Sequence, residues 1–109
     1  MIPESTKIEV RRRSGDKCEY CGGLGDWRGL QFAHLVHRGI GGRNGEAETL
    51  INNTRNIAHL CCRCHDILDG RQWGPQLKAE ILDELKNKLG WDAWAAECQE
   101  KKVHIRRVA

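Results

Sequence analysis

No segment of this sequence approaches the roughly 18 consecutive apolar residues of a membrane-spanning helix. Its first residues also lack the hydrophobic run of a secretory signal, so a cytoplasmic location without membrane attachment is expected. There is no internal repeat and no low-complexity tract. Proline occurs only twice, at Pro3 and Pro75, and each stands where a helix is expected to start. Apolar content is limited too: 39% hydrophobic against 30% charged, with 12 glycines, leaves a modest core for 109 residues. Such a length has room for one domain, 1–109, and at that size a structural metal adds stability that a small core cannot.

Cysteine, by contrast, is plentiful, with six residues. In a reducing compartment these are better read as metal ligands than as a disulfide framework. Four fall in two CxxC pairs, Cys18-Glu19-Tyr20-Cys21-Gly22 and Leu60-Cys61-Cys62-Arg63-Cys64-His65. A CxxC turn lets two thiolates reach one ion at about 2.3 Å, so Cys18, Cys21, Cys61 and Cys64 can supply a tetrahedral zinc. The pairs are farther apart than in a compact zinc ribbon, which implies that something is built into the intervening loop. Cys62 is out of register with its neighbours, and Cys98 is expected to be a buried helix residue. No thioredoxin-like βαβ context surrounds either pair, which weighs against a redox CxxC. RING and LIM domains, with two interleaved sites, need more ligands than four well-placed cysteines.

Net charge is +3 and the pI about 8.6. Basic residues cluster at Arg11-Arg12-Arg13, Lys101-Lys102 and Arg106-Arg107, and Arg38, Arg43 and Arg55 lie between the cysteine pairs. A cluster of this kind is often only a solvated face, but beside a metal site it favours a polyanionic partner.

Along the chain, Pro3-Glu4 is expected to open a helix with little apolar face, ended by Ser14-Gly15-Asp16. A turn-rich connector, Leu24 to Gly29, carries Trp27. Leu30 to Val36 reads as a short strand, Gly39 to Gly45 as a flexible turn, and Ile57 to Leu60 as a second extended piece interrupted before it by Asn52-Asn53-Thr54. From Cys64 a short helix runs to Gly70. Leu77, Ile81, Leu82, Leu85 and Leu89 form one stripe of a longer helix between Pro75 and Gly90. Trp91, Trp94, Ala95 and Cys98 continue at helical spacing as core, and Val103 with Ile105 suggest a last strand. An α+β fold follows, with a core at about 7–70 and a helical extension at about 75–100.

With these residues in view, the stretch from about Lys7 to Gly70 resembles the HNH endonucleases, or ββα-metal nucleases, in their four-cysteine form. The resemblance rests on the CxxCG knuckle, a hydrophobic strand ending at His34, the Gly41-Gly42 turn, Asn56, and the closing Leu60-Cys61-Cys62-Arg63-Cys64-His65. It implies a small zinc-stapled ββα-metal core with flanking helices that hydrolyses DNA, most simply double-stranded. The zinc would be structural, and Mg²⁺ or Mn²⁺ catalytic. It implies His34 as general base, His65 as a ligand of the catalytic ion, and Asn56 as the residue that holds the base and its loop.

The residue types suit this chemistry on their own terms. An imidazole titrates near neutral pH and can take a proton from water. A divalent ion can polarise the phosphate and stabilise the leaving oxygen. An Asn amide both donates and accepts, as a loop brace must. Arg38, which follows the strand, can clamp a phosphate, with Arg43 and Arg55 as further candidates. One departure stands out: the residue before the base is usually a metal-binding Asp or His, and here it is Ala33. Asp69 is the favoured replacement, four residues after His65 and so on the same helix face; His37 is the reserve, and His34 itself a third option. One active site would nick one strand, and a double cut would need a homodimer or two visits. The competing expectation is a zinc-stabilised nucleic-acid-binding module whose catalysis was lost with the ligand at Ala33. His59 is expected to be structural.

Overall fold

The first helix has almost no apolar face. In the computed structural model, which describes residues 2–25, 27, 29–35, 49–70 and 74–100, α1 spans Glu4–Ser14 and Val10 is its one buried residue. Pro3 is extended before it, Glu4 lies in its first turn, and Arg11, Arg12 and Arg13 fill its last, a charge order that suits the helix dipole. With so little to bury, α1 is attached by polar contacts.

Arg13 makes most of them. Its guanidinium donates to both carboxylate oxygens of Glu19, at 2.8 and 2.7 Å, and to the carbonyls of Thr54 and Ile57, each at 2.7 Å. Glu19 is buried, and a buried carboxylate is tolerable only when paired and hydrogen-bonded. It also accepts the backbone N–H of His59 at 2.8 Å and donates its own N–H to the His59 carbonyl at 2.8 Å.

That second contact bears on the sheet. Strand β1 (Leu30–His34) pairs antiparallel with β2 (Ile57–Cys61), in a register that sets Phe32 against His59, Ala33 against Ala58, and His34 against Ile57. A two-stranded ribbon has open edges, and Glu19 covers that of β2. On one face Phe32 and His59 stack at 4.8 Å, with Lys7 and Arg11 of α1 over the Phe32 ring. Gln31, Ala33 and Leu35 alternate to the other face, where Ala33 and Leu35 join the core with Ala58 and Leu60. The expected strand ran to Val36; the ladder ends at His34, and Val36 lies outside the described residues.

A 3₁₀ turn, Thr54–Asn56, takes the place of a simple polar break, because the Asn53 side chain accepts the Arg55 N–H at 2.9 Å and caps it. After β2 comes α2 (Cys62–Leu68), which starts two residues earlier than the sequence suggested. The reason is local: the Cys61 sulfur accepts the Cys64 N–H at 3.5 Å, so the cysteine is an N-cap as well as a candidate ligand. Helices α3 (Gly74–Leu89) and α4 (Trp91–Glu100) follow the expected stripes. Gly90, at φ 70°, makes the break between them, a backbone conformation with a steric cost for any other residue. Ile81, Leu85, Leu89, Trp91, Trp94 and Cys98 all join the same core as the sheet and the cysteine pairs. The expected strand at Val103 and Ile105 lies outside the described residues.

Arg13→Met strands the buried Glu19 carboxylate and should destabilise the protein by about 3 kcal/mol, since breaking one side of a buried pair costs that much. Adding Glu19→Gln should recover part of the loss. Urea unfolding of the metal-loaded protein reads both, and a loss below about 1 kcal/mol, the value of an exposed pair, would mean that the contact is merely a surface one.

Candidate functional site

The four predicted ligands come together. The sulfurs of Cys18, Cys21, Cys61 and Cys64 lie within 4.8 Å of one another, and Cys21 and Cys61 are 3.8 Å apart. A regular tetrahedron with Zn–S bonds of about 2.3 Å places its sulfurs about 3.8 Å apart, so the cluster has the dimensions to hold one zinc ion. The first knuckle is a tight turn in which Cys18 N–H donates to Gly23 O at 2.8 Å and Gly22 N–H donates to Cys18 O at 2.9 Å. Gly22 sits at φ 77°, which explains the glycine after the second cysteine of the pair.

The thiols differ before metal arrives. Burial works to raise Cys18, but hydrogen bonds from the backbone at Cys21, Cys61 and Tyr20 outweigh it and bring it down to about 7. Burial pushes Cys61 and Cys64 up, and the neighbouring sulfurs push Cys64 further. Cys18 therefore ionises more readily than Cys61 or Cys64, and a bound ion would favour the thiolate form of both. Cys62 stays outside the cluster and lines a hollow of about 290 Å³ with Gly23, Leu24, Gly25, Cys61 and Arg63; Cys98 is fully buried in α4.

On α2, His65 Nε2 lies 3.6 Å from the Asp69 carboxylate. Its other nitrogen, Nδ1, lies 2.7 Å from the side-chain oxygen of Gln31. An amide oxygen only accepts, so Nδ1 donates to it; in the neutral form Nε2 then presents a lone pair to Asp69. Two acceptors at this distance repel unless something positive stands between them. A second proton on His65 would make an ordinary i,i+4 ion pair, whereas a divalent ion would use both as ligands. Octahedral neighbours about 2.1 Å from one ion stand about 3.0 Å apart, so at 3.6 Å the pair would have to draw together to share one. Sequence reasoning paired His65 with Asp69 but missed Gln31, whose only signal is its place two residues before Ala33 on the same strand face.

His34 ends β1, and its Nε2 lies 3.0 Å from Oδ1 of Asn52, which is itself buried. Asn56 is fully buried; its amide donates to Ile51 O at 2.9 Å, and its carbonyl accepts the Leu35 N–H at 2.8 Å. Asn56 therefore braces the segment before it and the chain just after His34, while the side chain that meets the His34 ring is Asn52. Ala33 is buried in the core, where its methyl can ligate nothing. His59, also buried, accepts or donates at Ser14 Oγ over 2.8 Å, and burial holds it below the ordinary imidazole range, outweighing Glu19 and Asp16. Arg55 donates to Glu97 at 2.8 Å and ties the 3₁₀ turn to α4, so its charge is answered within the protein. His37, Arg38, Gly41, Gly42 and Arg43 lie outside the described residues.

No protein-family model, no curated protein and no solved structure matches this chain. No helix among the described residues is long and apolar enough to cross a membrane.

Purified protein should hold close to one zinc per chain, released by acid or strong chelators with loss of structure, because the thiolate site forms only with the fold. Cys61→Ser should lose the ion, while Cys62→Ser should keep it. Elemental analysis alongside a thermal melt decides the matter, and the opposite pattern would overturn the ligand set.

Proposed function

We propose that the chain is a metal-dependent endonuclease of the HNH type that hydrolyses DNA phosphodiester bonds, nicking one strand per active site, with zinc in a purely structural role. The observation that carries this reading is His65: an imidazole oriented through Nδ1 by Gln31, with Nε2 set toward the Asp69 carboxylate. Orientation of this kind, by a hydrogen bond to the far nitrogen, is what a metal-binding histidine requires. Support also comes from position. The ligand missing at Ala33 would fall on the strand face shared with Gln31, and so on the side from which His65 is reached.

Within this reading each residue has one task. His34 takes the proton of the attacking water. Asn56 keeps the segments on either side of the base in register. His65 and Asp69 hold the divalent ion, with His37 in reserve; Mg²⁺ or Mn²⁺ bound there would supply Lewis acidity to the phosphate and the leaving oxygen. Arg38 and Arg43 are the proposed phosphate contacts; Arg55, engaged with Glu97, is the weaker candidate. The one observation that favours a binding module instead is buried Ala33, which leaves the ion without its usual strand ligand.

Supercoiled plasmid should be nicked in Mg²⁺ or Mn²⁺ and spared in EDTA. His34→Ala should slow nicking by about 10²–10⁴-fold, the usual contribution of a general base, with zinc content and DNA affinity unchanged. Asp69→Ala should raise the ion concentration for half-maximal rate about tenfold or more, and His65→Ala should do so more severely. DNA binding without cleavage under every ion would favour the binding module.

A further inference from the structure

The side chain that meets the proposed base is not the asparagine of the family pattern but Asn52, and the backbone around Asn52 is unusually well anchored. The Leu50 carbonyl accepts the Trp94 indole N–H at 2.7 Å and the Asn53 N–H at 3.1 Å. The Ile51 carbonyl accepts the Asn56 amide at 2.9 Å. Leu50 and Ile51 are both in the core. Three donors thus pin the two peptide units just before Asn52, and its buried side chain reaches His34 with little freedom to turn away.

The chemistry of that contact sets the imidazole. Oδ1 of an amide has lone pairs and no hydrogen, so the ring nitrogen opposite it must donate. In the neutral ring the hydrogen then resides on Nε2 and the basic lone pair on Nδ1. A histidine without such a partner exchanges between two tautomers, and only one of them offers a base at the required atom.

We propose that Asn52 is the positioning residue of His34: its Oδ1 holds the ring as the Nε2–H tautomer, which makes Nδ1 the atom that accepts the proton of water. The catalytic meaning of Nδ1 rests on the nuclease reading; the tautomer itself does not. Asn52→Asp keeps the acceptor oxygen, whereas Asn52→Leu removes it with the same number and branching of heavy atoms.

The test uses ¹⁵N-histidine-labelled, zinc-loaded protein, with the His34 ring identified by its loss in His34→Gln. Long-range ¹H–¹⁵N spectra at a pH where the ring is neutral should show Nε2 protonated in the wild type and in Asn52→Asp, and a mixture or the opposite form in Asn52→Leu. Plasmid nicking by Asn52→Leu should fall about 10- to 100-fold in kcat with KM little changed, the scale of losing an orienting hydrogen bond, while Asn52→Asp keeps most of the rate. An Nδ1–H ring in the wild type would overturn the proposal without any variant. So would an Asn52→Leu protein with wild-type tautomer and wild-type kcat. If Asn52→Leu does not fold, the wild-type spectrum and Asn52→Asp still decide. A wild type that shows the Nε2–H ring but never nicks DNA would sink the nuclease reading and leave the tautomer assignment standing.

Discussion

Four sulfurs within 4.8 Å of one another are the constraint on which the rest of this molecule depends. They join the turn after α1 to the end of β2 and the start of α2, and so close the chain between Cys21 and Cys61. Closing a loop of that length removes much of the freedom of the unfolded chain, a gain that a small core could not otherwise match. The same clamp brings Glu19 against the edge of β2, where it meets Arg13 and His59. Lys88 of α3 then donates to the Glu19 carbonyl at 2.7 Å, so the C-terminal helices are tied to the knuckle as well. The ion the cluster can hold would therefore stabilise contacts well beyond its own ligands.

What the sequence disclosed and what it withheld divide along a physical line. Periodicity and punctuation located α1, α3, α4 and both strands, because an apolar stripe, a proline or a glycine at an end is a local signal. The cysteine spacing disclosed the cluster for the same reason. The partners of His34 and His65 were hidden, since Asn52 and Gln31 are ordinary polar residues until a fold brings them within 3.0 and 2.7 Å of a ring. Asn52 read as part of a polar break, and Gln31 carried no reading beyond its place in the strand. Arg13 was hidden differently: three consecutive arginines suggest one basic patch, yet Arg13 is consumed by Glu19 and two carbonyls while Arg11 pairs with exposed Glu4 at 3.3 Å and lies over the Phe32 ring.

Each histidine has one ring nitrogen against a neutral side-chain amide, Gln31 at His65 and Asn52 at His34. An amide oxygen chooses which nitrogen carries the hydrogen without adding charge. The choice differs at the two sites: Gln31 faces Nδ1 of His65, and Asn52 faces Nε2 of His34, so the rings present opposite nitrogens. In the proposed nuclease reading, one imidazole is set for an ion and the other for a proton.

With Ala33 in the core, the described candidates for the proposed catalytic ion both come from one turn of α2 instead of from strand and helix together. Their mutual spacing is then set by helix geometry and needs no tertiary contact. The distance from ion to base has no such local guarantee. His34 stands at the end of β1, and its partner hangs from a segment pinned by Trp94 of α4 and by Asn56. Arg55 and Glu97 tie that same region to α4 a second time. A helical extension that reads as packing in the sequence therefore bears on His34, while the cysteine cluster bears on the helix that carries His65. Placing one against the other requires both, and this gives the small core a reason to keep its C-terminal helices.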